Sequence, residues 1–169
     1  MNEKLTGKQF LNKILAGMSM GIIIALLPGA FVGEVAKMLN IQVLVDITNI
    51  ATRLTAPIMG LCIAMQFKMS PIQSGTLAIA TMIGSGALKM IDGNMVLTGM
   101  GDVLNAGITA TIAVGLLFLI GDRLKSYTIL LLSTIVVCLS GLIGVFTLPY
   151  MTSITGAIGN MIAQFTTLQ

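Results

Sequence analysis

Two groups of polar residues interrupt an otherwise apolar chain, at spacings that solute chemistry could use. The larger group lies in MIGSGALKMIDGNMVLTGMGDVLNAG, residues 82–107. Gly84, Ser85 and Gly86 close one apolar run, Lys89 and Asp92 follow, and Gly101, Asp102 and Asn105 open the next. A carboxylate such as Asp102 accepts at least two hydrogen bonds, whereas the Asn105 amide both donates and accepts. With a serine hydroxyl and backbone amides beside them, these groups suit a hydroxyl-rich solute. The second group is Asp46, Asn49 and Arg53, spaced i, i+3 and i+7 and therefore on one face of a helix, with Thr52 and Thr55 nearby.

The elements that carry these residues must sit in lipid. Hydrophobic residues make up 56% of the 169, charged residues only 9%, and the mean hydropathy is +1.00. A water-soluble domain usually carries about 25% charged residues. Most of the surface must therefore face lipid or other apolar helices. The net charge of +3 is spread without a basic run, and tryptophan is absent, so no nucleic-acid partner is expected. With no histidine, the chain can hold neither a histidine base nor a phosphohistidine, and no metal constellation or cofactor is expected. Cys62 and Cys138 each fall inside an apolar segment and read as packed thiols, not a disulfide framework.

A span needs about 20 apolar residues at about 1.5 Å rise to cross about 30 Å of hydrocarbon. Five segments approach that: 14–33, 41–66, 71–88, 103–121 and 127–148. The first is longer than a signal-peptide core and lacks a good cleavage site, so it reads as an uncleaved helix. FKMSP and GDRLKS make short basic connections, at 67–71 and 121–126. With the N-terminus cytoplasmic, Lys4, Lys8, Lys13, Lys68, Arg123 and Lys125 lie inside and only Lys37 and Lys89 outside, with Arg53 inside a span. After Pro149, Ile154, Ile158, Met161, Phe165 and Leu168 recur at helical spacing, with Thr155, Asn160, Gln164 and Thr167 elsewhere on the wheel. That predicts an amphipathic helix, on the membrane surface or lining a polar interior. Gly17 with Gly21, Gly107 with Thr111 and Gly115, and Ser140 with Gly144 mark faces where helix backbones can approach closely.

The expectation is an all-α polytopic membrane protein forming one transmembrane domain over 1–169. It has about five transmembrane helices, a broken or re-entrant segment near 84–102 and a C-terminal amphipathic helix. Irregular backbone at membrane depth is tolerated where it lines a cavity. The many apolar residues between Lys89 and Asp102 favour such a segment over a plain outside loop. Asp46, Asn49 and Arg53 are equally compatible with a polar face inside the membrane and with a helix end beyond the hydrocarbon.

The patches LCIAMQFKMSPIQSGTLAIATMIGSGALK, GMGDVLNAGITATIAVGLLFLIGDRL and GLIGVFTLPYMTSITGAIGNMIAQFTTLQ resemble the bacterial phosphotransferase-system IIC-like membrane permeases. The resemblance runs through nearly the whole chain. It implies a permease of the bacterial inner membrane that carries a sugar-like solute by alternating access, with phosphoryl transfer left to a separate cytoplasmic IIB protein. It also implies that this chain is the N-terminal half of a longer permease, joined by a C-terminal half, and that it forms a homo-oligomer. Gly84, Ser85, Gly86, Lys89, Gly101, Asp102 and Asn105 match as solute-binding positions, with Lys89 pairing Asp92 or Asp102. A carrier without phosphoryl coupling and a non-transporting scaffold or sensor subunit are the alternatives.

Overall fold

The computed structural model describes residues 5–120 and 131–166. Helix α1 (Gly7–Pro28) runs on through a π-helical turn (Gly29–Gly33) into α2 (Glu34–Met38). Then come α3 (Gln42–Arg53), α4 (Thr55–Gln66) and α5 (Pro71–Gly84), strands β1 (Leu88–Ile91) and β2 (Asn94–Leu97), α6 (Val103–Ile120) and α7 (Ser133–Thr166). Local chemistry sets several of these ends. Thr6 and Gln9 form a reciprocal capping box at the start of α1, and Ser70 with Gln73 does the same before Pro71, which opens α5 as a first-turn proline.

The all-α membrane architecture is as the composition demands. Among the described residues, Gly7–Met38, Val103–Ile120 and Ser133–Thr166 are each long and apolar enough to cross a membrane. α3 and α4 together make a fourth candidate, bent by 52°. The bend lies at Leu54 because Pro57, in the first turn of α4, has no N–H to offer the Arg53 carbonyl four residues back. The expected span 41–66 is therefore two helices. α5 stops at Gly84 and is only about 21 Å long at the α-helical rise.

The break in the helical path near 84–102 is present, and a β-hairpin fills it. β1 and β2 pair antiparallel, Leu88 opposite Leu97 and Ile91 opposite Asn94. Asp92 and Gly93 turn the chain with φ of 50° and 77°, the left-handed pair that a two-residue hairpin requires. The stretch after Pro149 is the second half of α7 and not a separate helix. Pro149 removes the backbone donor to the Val145 carbonyl, yet the helix continues through it, and in the next turn the Thr152 and Ser153 hydroxyls donate to the Leu148 and Pro149 carbonyls. The basic residues Lys4, Arg123 and Lys125, the loop 121–126, the first residues of the span expected over 127–148, and Thr167 and Leu168 lie outside the described residues.

Small residues set the helix contacts. Gly17 and Gly21 of α1 are buried against α4, where an added Cβ would meet the Ile63 backbone at 2.5 Å and the Met59 backbone closer still. Gly107 packs on Met18, whereas Gly115 faces open space, so only part of that stripe is an interface. Ser140 and Gly144 are both buried in α7. Cys62 is buried and Cys138 lies on the surface, and both are free thiols. Cys138 is thus not packed, because its side of α7 faces away from the bundle.

Ile14, Met59, Ile63, Leu77, Leu117 and Val136 lie in the shared core. Phe10, Phe67 and Phe118 close one end, with centroids 5.3 to 6.4 Å apart, and Lys13 there donates to the Gln66 carbonyl at 2.9 Å. This end holds Lys8, Lys13 and Lys68, while Glu34, Asp46, Asp92 and Asp102 all belong to the opposite end.

The α1–α4 contact makes a direct prediction. Gly21→Val should cost about 1–3 kcal/mol, the usual range for overpacking, because the obstructing atoms are Met59 backbone. Gly115→Ala should stay within about 0.5 kcal/mol of the parent. Thermal midpoints in lipid nanodiscs check both.

Candidate functional site

The polar residues of 84–105 meet where α5 ends and α6 begins. Asn105 is fully buried. Its amide nitrogen donates to the Gly84 carbonyl at 2.5 Å and the Gly144 carbonyl at 2.7 Å, and its oxygen accepts from the Thr147 hydroxyl at 2.7 Å. One side chain thereby ties α5, α6 and α7 together. The approach is possible only with glycine on two sides, since a Cβ on Gly84 or Gly144 would strike Thr109 of α6. Both amide hydrogens being engaged within the protein, Asn105 is a brace beneath the site and not a free solute ligand.

Asp102 caps α6. One carboxylate oxygen accepts from the Asn105 backbone N–H at 2.8 Å, and its own N–H donates to the Ser85 carbonyl at 2.7 Å. A negative charge here also complements the positive end of the α6 dipole. The buried Ser85 hydroxyl is taken up locally, donating to the Met82 carbonyl at 2.7 Å and accepting from Ala87 N–H at 3.2 Å. Gly86 and Gly101 hold φ of 66° and 77° on either side of the hairpin. At Gly101 a Cβ would lie 2.6 Å from the Ser85 carbonyl oxygen, so glycine is required by conformation and by space.

Above this junction opens a cavity of about 450 Å³, within the range of small-molecule sites. Ser85, Gly86, Lys89, Gly101 and Asp102 line it, which brings five of the seven expected positions to one space. Gly84 and Asn105 sit in the brace below. Lys89 pairs with neither Asp92 nor Asp102, for the only ion pair among the described residues is Lys37–Glu34 at 2.7 Å. Lys89 sits opposite Val96 on the hairpin face that borders the cavity, whereas Asp92 is in the turn. The N–H groups of Gly99, Met100 and Gly101 have no acceptor among the described residues.

Sequence reasoning missed Thr98, Leu148 and Thr152 as lining residues and Thr147 as part of the brace. Thr155, placed by the helical wheel on the polar side of the C-terminal helix, does reach the cavity. The signal for Thr152 was its spacing three residues before Thr155 on the same helix.

Asp46, Asn49 and Arg53 do not join this cavity. Asp46 accepts from Gln42 at 2.8 Å along α3, and Asn49 borders a separate space of about 320 Å³ between α3 and the π-helical turn. Arg53 reaches across to the hairpin, donating to the Leu97 carbonyl at 3.3 Å. All three are exposed.

Apolar helices around a cavity of mixed lining at a helix break define a multi-pass membrane protein. The comparisons name the family. The profile described as "Phosphotransferase system, EIIC" matches residues 12–169, nearly the whole chain, so the protein belongs to that family of phosphotransferase-system permeases. No curated protein and no solved structure matches it.

The brace is testable apart from transport. Asn105→Ala leaves the Gly84 carbonyl unpaired in a buried place and should lower stability by about 2 kcal/mol or more. Thr147→Val removes only the hydroxyl partner of the Asn105 oxygen and should cost about 1 kcal/mol. Thermal midpoints of the purified variants read both values.

Proposed function

We propose that the cavity above Asn105 holds a neutral, hydroxyl-rich solute, a sugar or sugar-like compound, on its way through a phosphotransferase-system permease. The observation that carries this reading is the lining. One cation, Lys89, and one carboxylate, Asp102, balance each other, and Thr98, Thr152 and Thr155 with unpaired backbone N–H groups supply neutral donors and acceptors. Asp102 keeps acceptor capacity beyond its capping bond, because an ionised carboxylate has about four lone-pair sites. Lys89 donates from the hairpin side, while the Thr152 and Thr98 hydroxyls, which donate to the Leu148 and Ala87 carbonyls, offer acceptor oxygens. The two breaks in the helical path, at Leu54 and between Gly84 and Val103, give the fold places where halves of a span can move against each other. They support alternating access around the site.

The protein itself does no phosphoryl transfer in this reading. A cytoplasmic IIB protein hands the phosphoryl group to the solute, and no cofactor is bound. The chain lies in the bacterial inner membrane with the Lys8, Lys13 and Lys68 end inside, in accord with the positive-inside rule. The C-terminal half of the permease completes the path, packing where residues 152–166 of α7 are exposed. The assembly is a homo-oligomer.

A thermal-shift panel of sugars, sugar alcohols, organic acids and ions on the nanodisc protein tests the site. A ligand at about 100 times its Kd adds roughly 2.7 kcal/mol of stability. Asp102→Asn, which retains a capping oxygen but loses the charge, and Lys89→Ala should each weaken a hit about tenfold or more. Stabilisation by organic acids alone, with sugars silent, would contradict the neutral-solute reading.

Orientation is checked separately in cells. With Cys138 replaced by alanine, a membrane-impermeant maleimide should label Asp92→Cys in intact cells and label Lys8→Cys only after lysis. The reverse pattern would invert the topology.

A further inference from the structure

We infer that the β1–β2 hairpin is a gate over the solute cavity, hung on Gly86 and Gly101 and latched by Arg53 to the Leu97 carbonyl; this rests on the cavity being the solute site. Residues 87–98 form a unit closed on itself. Four residue pairs join the strands, and the Thr98 N–H and hydroxyl both bond the Ala87 carbonyl, at 2.9 and 3.1 Å. Such a unit moves as one body more readily than it unravels.

Its two attachments are the places where the backbone takes left-handed conformations. Gly86 at φ 66° and Gly101 at φ 77° bracket it, and the N–H groups of Gly99 and Met100 between Thr98 and Gly101 are tied to nothing among the described residues. Glycine tolerates both signs of φ, so these positions can absorb a rotation without the penalty a side chain would bring, Gly86 turning against the Leu148 side chain and Gly101 against Ser85. The strands themselves are little packed, with seven of their eight residues exposed and Leu97 half-buried, and the packing of the unit is concentrated at its base on the buried Ala87. The hairpin nevertheless forms a wall of the cavity through Lys89, with Thr98 at its base. A swing on the two glycines therefore opens or covers the site while the brace at Asn105 stays intact.

Apart from the adjoining Ser85 hydroxyl, which accepts from the Ala87 N–H at 3.2 Å, one side chain from outside holds the hairpin by a hydrogen bond among the described residues. Arg53, at the end of α3 and next to the bend at Leu54, donates to the Leu97 carbonyl at 3.3 Å. The latch thus comes from the residue beside the other break in the helical path. A change in the α3–α4 angle would move Arg53 and release the strand. This gives the exposed Arg53, which does not reach the cavity, a role in the solute path.

Double electron–electron resonance on the solute-free nanodisc protein tests the latch. Nitroxides are placed at Met95→Cys on the hairpin and Leu142→Cys on α7, with Cys62 and Cys138 replaced by alanine. The parent should show one dominant distance. Arg53→Ala should raise the ratio of a second, displaced distance roughly tenfold, the effect of losing one charge-assisted hydrogen bond. Arg53→Gln, which retains donors without charge, should fall between. Distributions in both variants identical to the parent would overturn the latch. Shifted distances with no solute response in the thermal panel would overturn the cavity as what the hairpin covers. Unshifted distances with a clear solute response would remove the gate and leave the site.

Discussion

The buried carboxamide of Asn105 is the interaction on which the site depends. A helix that ends inside a protein leaves carbonyls that need partners. α5 ends at Gly84, and Asn105 of α6 supplies the hydrogen for that carbonyl. The same amide takes the Gly144 carbonyl of α7, and Thr147 completes its oxygen. Short α5 can stop where it does because this brace satisfies its end. The cavity exists because α5 stops there.

That arrangement fixes the residue types around it. Three helices can meet at one amide only if their backbones nearly touch, which is why Gly84 and Gly144 face Thr109 with no room for a methyl group. Gly17 and Gly21 use the same device between α1 and α4. Helix packing and the cavity lining consequently share residues at the α5–α6 junction. Asp102 caps α6 and fixes the Ser85 carbonyl while its remaining oxygen sites face the cavity. In this permease the floor of the site is built from helix ends, and the wall from a hairpin with its own hydrogen bonds.

The distribution of charge follows from the same economy. Lys13 lies over the Phe67 ring at 5.6 Å and closes the aromatic end, where no acidic residue appears among the described ones. The four described acidic residues belong to the end that holds the cavity. Among the described residues, one end thus carries only basic charge, and the cavity end mixes its four acids with Lys37, Arg53 and Lys89.

Composition by itself determined that the chain lives in lipid, since 9% charged residues cannot cover a soluble surface. Apolar run length located the start of α6 at Val103, and small-residue spacing marked the Gly17–Gly21 contact, because both signals are local and periodic. The polar stretch 84–105 was legible as a place where helix gives way, since glycine, aspartate and asparagine cluster nowhere else in such density. The sequence did not reveal that Asp92-Gly93 closes a hairpin, although that dipeptide was the available turn signal. It also could not separate the roles of Asp102 and Asn105. They stand three residues apart on one helix, yet one faces the cavity and the other is enclosed by α5 and α7. Which polar side chain faces the cavity and which meets backbone depends on partners 21 and 39 residues away in the chain. Only the packing of three helices decides that.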